Sequence, residues 1–172
     1  TQKYPKDNLL SLSQSLGKKQ VDALLVIDED LDAAQVDAAN LDGVPIVFIG
    51  TQANTTSNRA SVVLPSLTSF EKSGTFVNRS FYAQSFRQAV PGPAGVLPDL
   101  TILSRLHREL TEEEEIAPDQ NSIWNEMSGV RNSPLKGVSL KDVRKDAVLI
   151  DSSKWDDLPF VEAKALHFEP VN

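Results

Sequence analysis

Two short apolar runs separated by about one helix length constrain this chain more than any other feature. The first is Ala23-Leu24-Leu25-Val26-Ile27, preceded by Val21 and ended by Asp28, Glu29 and Asp30. The second is Val44-Pro45-Ile46-Val47-Phe48-Ile49, ended by Gly50. Runs of this length without polar alternation are strands buried on both faces, as in parallel sheets. Between them Leu31, Ala34, Val36, Ala38 and Leu41 predict a short helix over 31–42, closed by Gly43. Strand, helix and strand within about 30 residues make a βαβ unit with a right-handed crossover. Two strands do not make a stable sheet. The rest must come from later in the chain or from a longer parent sequence.

The remaining elements are read more weakly. Leu9, Leu10, Leu12 and Leu16 fall near one helical face, with Gly17 as the stop. TQANTTSNR (51–59) reads as a polar loop, and Ala60-Ser61-Val62-Val63-Leu64 as a strand that Pro65 ends. Residues 74–90 read as extended structure and loops, and 91–95 as a Pro/Gly break. Asp99 then caps a helix whose predicted core face is Leu100, Leu103, Leu106 and Leu110. The four carboxylates Glu112–Glu115 oppose the helix dipole, which places its end near Leu110 or Thr111. Beyond 116 the pattern predicts a short helix over Asn121–Met127, turns at Ser133-Pro134 and Lys136-Gly137, and a strand at Val148–Ile150. The expected organisation is an α/β domain over 1–115, with a short parallel sheet in a Rossmann-like three-layer arrangement. A C-terminal appendage over 116–172 follows, either small and β-rich or draped over the core.

Composition narrows the function. Apolar residues at 40% and charged residues at 24% are ordinary for a globular protein. A net charge of -7 argues against nucleic acid as a partner. The absence of cysteine excludes disulfides, thiolate-held iron–sulfur clusters, Cys-type zinc sites and Cys nucleophiles within this chain. No apolar run approaches the ~18 residues of a membrane span, so no direct membrane insertion is expected. The chain opens at Thr1 and its only methionine is Met127, so it is expected to be processed or cut from a longer protein.

Catalytic constellations are not legible. His107 and His167 are the only histidines, both near charged or terminal sequence, and no G-x-S-x-G elbow exists. Asp28–Asp30 and Glu112–Glu115 lack calcium-loop spacing, and the plainer reading of each is solvated acid. The first group stands where a phosphate would otherwise meet the strand end, and would repel it. Gly50 followed by Thr51, Asn54, Thr55, Thr56 and Ser57 places neutral donors at the C-terminal end of a strand. A solvated loop is the plainer alternative there too.

Five pieces then occur in a telling order: ASVVLPS (60–66), EKSGTFVN (71–78), Gln84, AVPGPAG (89–95) and PDLTILSRL (98–106). Together they resemble the closing part of the molybdopterin oxidoreductase domain. The βαβ unit before them is similar to that family's α/β region, so the resemblance covers roughly residues 20–110. If pterin binds, the resemblance implies contacts from Thr51, Asn54, Thr55, Thr75, Asn78 and Gln84. One stretch departs from the family. Where it commonly carries Glu-Gly-Arg before the Gln, this chain reads Ser80-Phe81-Tyr82, without the arginine that would grip an anionic group. That departure points to the branch that keeps the domain without its pterin, the large iron–sulfur subunit of NADH-quinone oxidoreductase. The expectation that follows is a non-catalytic scaffold, with no cofactor in this part and iron–sulfur clusters in a missing N-terminal part. Its partners would be other subunits of a respiratory complex, on the cytoplasmic side of the inner membrane. The alternative is a cofactor-contacting piece of a molybdenum or tungsten bis-pterin oxidoreductase, such as a formate dehydrogenase.

Overall fold

The computed structural model describes residues 3–5, 9–111, 119–155 and 160–162. The acidic run Glu112–Glu115 and His167 lie outside the described residues. The chain has mixed α/β architecture, with a short parallel sheet as the apolar runs require. β2 (Leu24–Ile27), β3 (Ile46–Gly50) and β4 (Val62–Pro65) form that sheet in the order β2-β3-β4. Leu24 pairs with Ile46 and Ile27 with Ile49, while Val47 pairs with Val62 and Gly50 with Pro65. Both pairings are parallel. β1 (Lys3–Pro5) precedes α1 (Leu9–Gly17) and pairs antiparallel with β8 (Phe160–Glu162).

One face of the parallel sheet carries the first core. Val26, Ile46 and Phe48 pack there with Leu16 of α1 and with Leu31, Val36 and Leu41 from the β2–β3 connection. That connection is not the continuous helix expected over 31–42. The Asp30 carboxylate accepts the N–H groups of Asp32 and Ala33, and Gln35 has φ +62°. The chain therefore turns, and only Ala38–Leu41 forms a 3-10 helix, capped by Asp37 accepting from Ala39 N–H. Leu31, Val36 and Leu41 nonetheless reach the core, because a turn and a short helix bury these side chains too, while Ala34 and Ala38 are half-buried outside it.

Residues 51–59 are not purely loop either. Asn54 and Ser57 close a reciprocal capping box that starts α2 (Thr55–Arg59). β5 (Gly74–Val77) and β6 (Tyr82–Phe86) form an antiparallel hairpin, with Gly74 opposite Phe86 and Phe76 opposite Gln84. The Phe76 and Phe86 rings sit with centroids 6.3 Å apart.

α3 is described over Asp99–Thr111, with Asp99 inside its first turn and not before it as the expected cap, and its buried side is centred on Ile102 and Ser104. Leu110, expected in the core face, is 73% exposed. Beyond it come α4 (Gln120–Gly129), α5 (Leu140–Val143) and β7 (Val148–Leu149). Trp124, Leu135, Leu140, Val143 and Ile150 enclose Ala83 of β6 in a second core, and β7 pairs antiparallel with β6. Among the described residues no helix is long and apolar enough to cross a membrane.

Candidate cofactor-facing site

The carboxyl ends of β2 and β3 lie side by side, at the end of the strands where ligands usually bind in an open α/β sheet. Asp28 ends β2 with φ +52°, the left-handed region that non-glycine residues seldom occupy. Its Oδ1 accepts the backbone N–H of Thr51 at 2.8 Å and the Thr51 hydroxyl at 3.4 Å. Gly50 makes this approach possible, because a Cβ there would lie 2.9 Å from that oxygen and 2.4 Å from the Phe48 ring. Asp28 is exposed. The acidic group was read above as a solvated turn; the unusual φ and the bond across the sheet are not visible in the residue types.

Asp30 ties the turn after β2 to the start of α2. Its Oδ2 accepts from Thr55 N–H at 3.3 Å, while Oδ1 accepts from Asp32 and Ala33. Partial desolvation raises its pKa, but the N–H groups of Thr55, Ala33 and Asp32 outweigh this and hold it below the ordinary value. Asn54 donates to the Glu29 carbonyl at 3.4 Å while its Oδ1 caps α2. Of the neutral donors read in this loop, the N–H groups of Thr51 and Thr55 and the Asn54 side chain are thus held by the acidic β2 end and by the cap. The hydroxyl of Thr56 is buried and accepts from Leu31 N–H.

The second group of candidates lies on the β5–β6 hairpin. Asn78 Oδ1 accepts the N–H groups of Ser80 and Tyr82 at 2.9 and 3.0 Å, and its Nδ2 donates to Gln84 Oε1 at 3.3 Å. Asn78 therefore shapes the turn from within, and Gln84 braces it. Phe81, which stands where the family carries glycine, has φ +62°. The turn keeps the backbone form that glycine favours, at a strain of about 1 kcal/mol. Arg79 is exposed at the tip with no hydrogen bond or ion pair among the described residues.

Thr75 lines a groove of about 370 Å³ with Lys72, Asp99, Gln120 and Trp124. Lys72 is ion-paired to Asp99 there. The hairpin candidates and the loop candidates thus form two separate sets on two separate sheets. His107 is half-buried on α3. Among the described residues no cluster of three or more His, Cys, Asp or Glu could hold a metal ion.

The comparisons with known proteins agree on the family. The molybdopterin oxidoreductase model matches residues 1–109. The chain is 31% identical over 109 residues to the F420-dependent formate dehydrogenase 2 subunit alpha of Methanococcus maripaludis. That alignment covers 62% of this chain and 16% of the relative, so the chain spans about a sixth of the curated protein it matches. This corrects the expectation of a non-catalytic NADH-quinone oxidoreductase scaffold. That reading leaned on the arginine missing from Ser80-Phe81-Tyr82. In the structure Phe81 has the positive φ that glycine favours, and Arg79, with no hydrogen bond or ion pair among the described residues, stands three residues before the arginine's place at Tyr82. The chain belongs to the molybdopterin oxidoreductase family.

Proposed function

We propose that this chain is the cofactor-contacting part of a molybdenum- or tungsten-dependent pterin oxidoreductase of the formate dehydrogenase kind. The observation that carries the reading is Asp28, with φ +52° at the carboxyl end of β2 and its Oδ1 accepting from Thr51 N–H on the neighbouring strand's end. A carboxylate at the end of a parallel strand accepts from ribose hydroxyls in dinucleotide-binding sheets, and it accepts equally from amine donors. Asp28 uses one oxygen on Thr51, and its Oδ2 carries no hydrogen bond among the described residues.

The residues present fit the cofactor in part. The acidic β2 end suits the hydroxyl- and amine-bearing portion of a pterin dinucleotide and repels its phosphates. Arg79 on the hairpin is the exposed cation available for an anionic group. Thr75, with no hydrogen bond to its hydroxyl among the described residues, is a further donor. Asn54, Thr55, Asn78 and Gln84 hold the two loops in shape, which makes them positioning residues in this reading. When bound, the molybdenum or tungsten pterin supplies two-electron redox chemistry. This chain's own residues bind and orient it.

The reading is tested by native mass spectrometry of the chain with excess molybdopterin guanine dinucleotide. A one-to-one adduct is expected, weakened about tenfold by Asp28→Asn, which corresponds to roughly 1.4 kcal/mol. No adduct from the unaltered chain, or an adduct indifferent to both Asp28→Asn and Arg79→Ala, rejects the proposal.

A further inference from the structure

The hairpin tip that carries Arg79 is closed by a residue ill-suited to its place. The Asn78 carbonyl accepts the Phe81 N–H at 3.0 Å, and the Tyr82 carbonyl accepts the Asn78 N–H at 3.0 Å. Residues 79–81 are therefore a three-residue hairpin loop, whose last position takes left-handed backbone and ordinarily glycine. Here that position is Phe81, with φ +62°. Asn78 supports the turn from inside by accepting from Ser80 and Tyr82 N–H, and it would do so equally for a glycine.

A glycine could not reach out of the hairpin as this side chain does. Phe81 is half-buried and packs against the second core, beside Trp124, Leu135, Leu140, Val143 and Ile150. Its carbonyl accepts the Ile150 N–H at 2.9 Å, one step beyond the Tyr82–Leu149 pair of the β6–β7 ladder. Both anchors come from residues 124–150, beyond residue 109 where the family match ends. Arg79 stands two residues before Phe81, and both it and the intervening Ser80 are exposed.

We propose that Phe81 is a positioning residue for Arg79. Its ring and carbonyl moor the hairpin tip to the region over 124–150, so that the guanidinium is presented in place to an anionic, phosphate-like group. The strained backbone persists because the side chain that causes the strain is also the mooring. A tip that is already ordered loses less freedom when the anion binds. The inference rests on the reading of Arg79 as the cation for an anionic group, and it concerns the loop and not the pterin.

The test is nitrogen-15 relaxation of the whole chain without ligand, on the parent and on Phe81→Gly, Phe81→Ala and Phe81→Leu. Order parameters at the Arg79 and Ser80 amides should be about 0.85 in the parent and below about 0.6 in Phe81→Gly. Unchanged amide shifts at Ala83 and Gln84 show that β6 is intact. Phe81→Ala drops the ring and keeps the strain, so it should loosen the tip at least as much. Phe81→Leu keeps an apolar anchor and should hold it. Inorganic pyrophosphate then reads the consequence at the Arg79 amide and Nε. Its affinity should fall about fivefold in Phe81→Gly, and the response should vanish in Arg79→Ala. A tip as ordered in Phe81→Gly as in the parent overturns the inference. So does a parent tip that is already loose, an affinity indifferent to Phe81→Gly, or no parent response at Arg79. If Ala83 moves in Phe81→Gly, Phe81→Leu against Phe81→Ala decides instead, and equal order in those two overturns it. A chain that answers pyrophosphate in this way yet forms no pterin adduct fails the function proposed above and leaves this inference standing.

Discussion

Leu31 N–H donates to Thr56 Oγ1 at 2.7 Å, joining the turn after β2 to α2 across 25 residues of sequence. Both partners are buried, Thr56 at 1% exposure. Thr56→Val keeps the volume and removes the acceptor, leaving Leu31 N–H without a partner in the core. The expected loss is about 1–3 kcal/mol, the desolvation cost of one orphaned donor. Urea unfolding at neutral pH measures it, and Thr56→Ser should recover most of it. A Thr56→Val chain as stable as the parent would mean the bond contributes nothing.

Gly50→Ala should cost about 1–3 kcal/mol. The added methyl would meet the Phe48 ring at 2.4 Å and the Asp28 carboxylate at 2.9 Å, and Phe48 is 1% exposed with little room to move. Nuclear magnetic resonance would show the largest shift changes at Phe48 and Thr51. Unchanged spectra there would contradict the packing described.

Trp124 offers an optical readout of the second core. Its ring is 5% exposed and its indole N–H donates to the Val138 carbonyl at 2.9 Å. Trp124→Phe should cost about 1–3 kcal/mol by leaving that carbonyl bare. With Trp155→Phe removing the chain's other tryptophan, Trp124 emission should be blue-shifted in the folded chain and move red as this core opens. Red-shifted emission in the folded chain would place the ring in water.

Acid should weaken the chain through Asp30 and Asp119. Backbone N–H groups hold both carboxyls below 3.8, their ordinary value: Thr55, Ala33 and Asp32 against desolvation at Asp30, and Ser122 first at Asp119. A carboxyl with a lowered folded-state pKa adds stability that is complete above its unfolded value. That stability is lost as pH falls through the lower folded value. Asp30→Asn and Asp119→Asn should therefore reduce stability at neutral pH and flatten its decline in acid below 3.8. Urea midpoints followed down the acid limb decide this; a variant with the parent's slope would remove that carboxyl from the account.

The three parallel strands were legible because each is a short run without a polar residue, although in the structure the burial on both faces read from that pattern belongs to β3, while Leu25, Ile27, Val62 and Val63 stay 46–49% exposed. The connection over 31–42 misled because its apolar spacing serves a turn and a 3-10 helix as well as it serves an α-helix. What decides between them is a carboxylate, Asp30, accepting from the N–H groups that would start the helix. α2 was hidden because five polar residues carry no periodicity, although the Asn54–Ser57 pair is a capping signature in retrospect. Asn78 and Gln84 were singled out separately, as contacts if pterin binds, and their bond to one another appears only when β5 and β6 are in register. Asp28 was read only as part of a solvated acidic turn, because its distinction is a backbone angle.

The β6–β7 ladder has a consequence for the order in which the chain becomes a protein. Ala83 is fully buried, and what buries it is made much later: Val148 pairs beside it, with Trp124 and Ile150 closing around. A ribosome delivers the β5–β6 hairpin long before its cover exists. The nascent chain must therefore carry a bare apolar strand edge through the synthesis of α3, α4 and α5. Translation arrested before Ile150 would release a hairpin ready to pair with its neighbours, and that interval is when this chain most needs a chaperone.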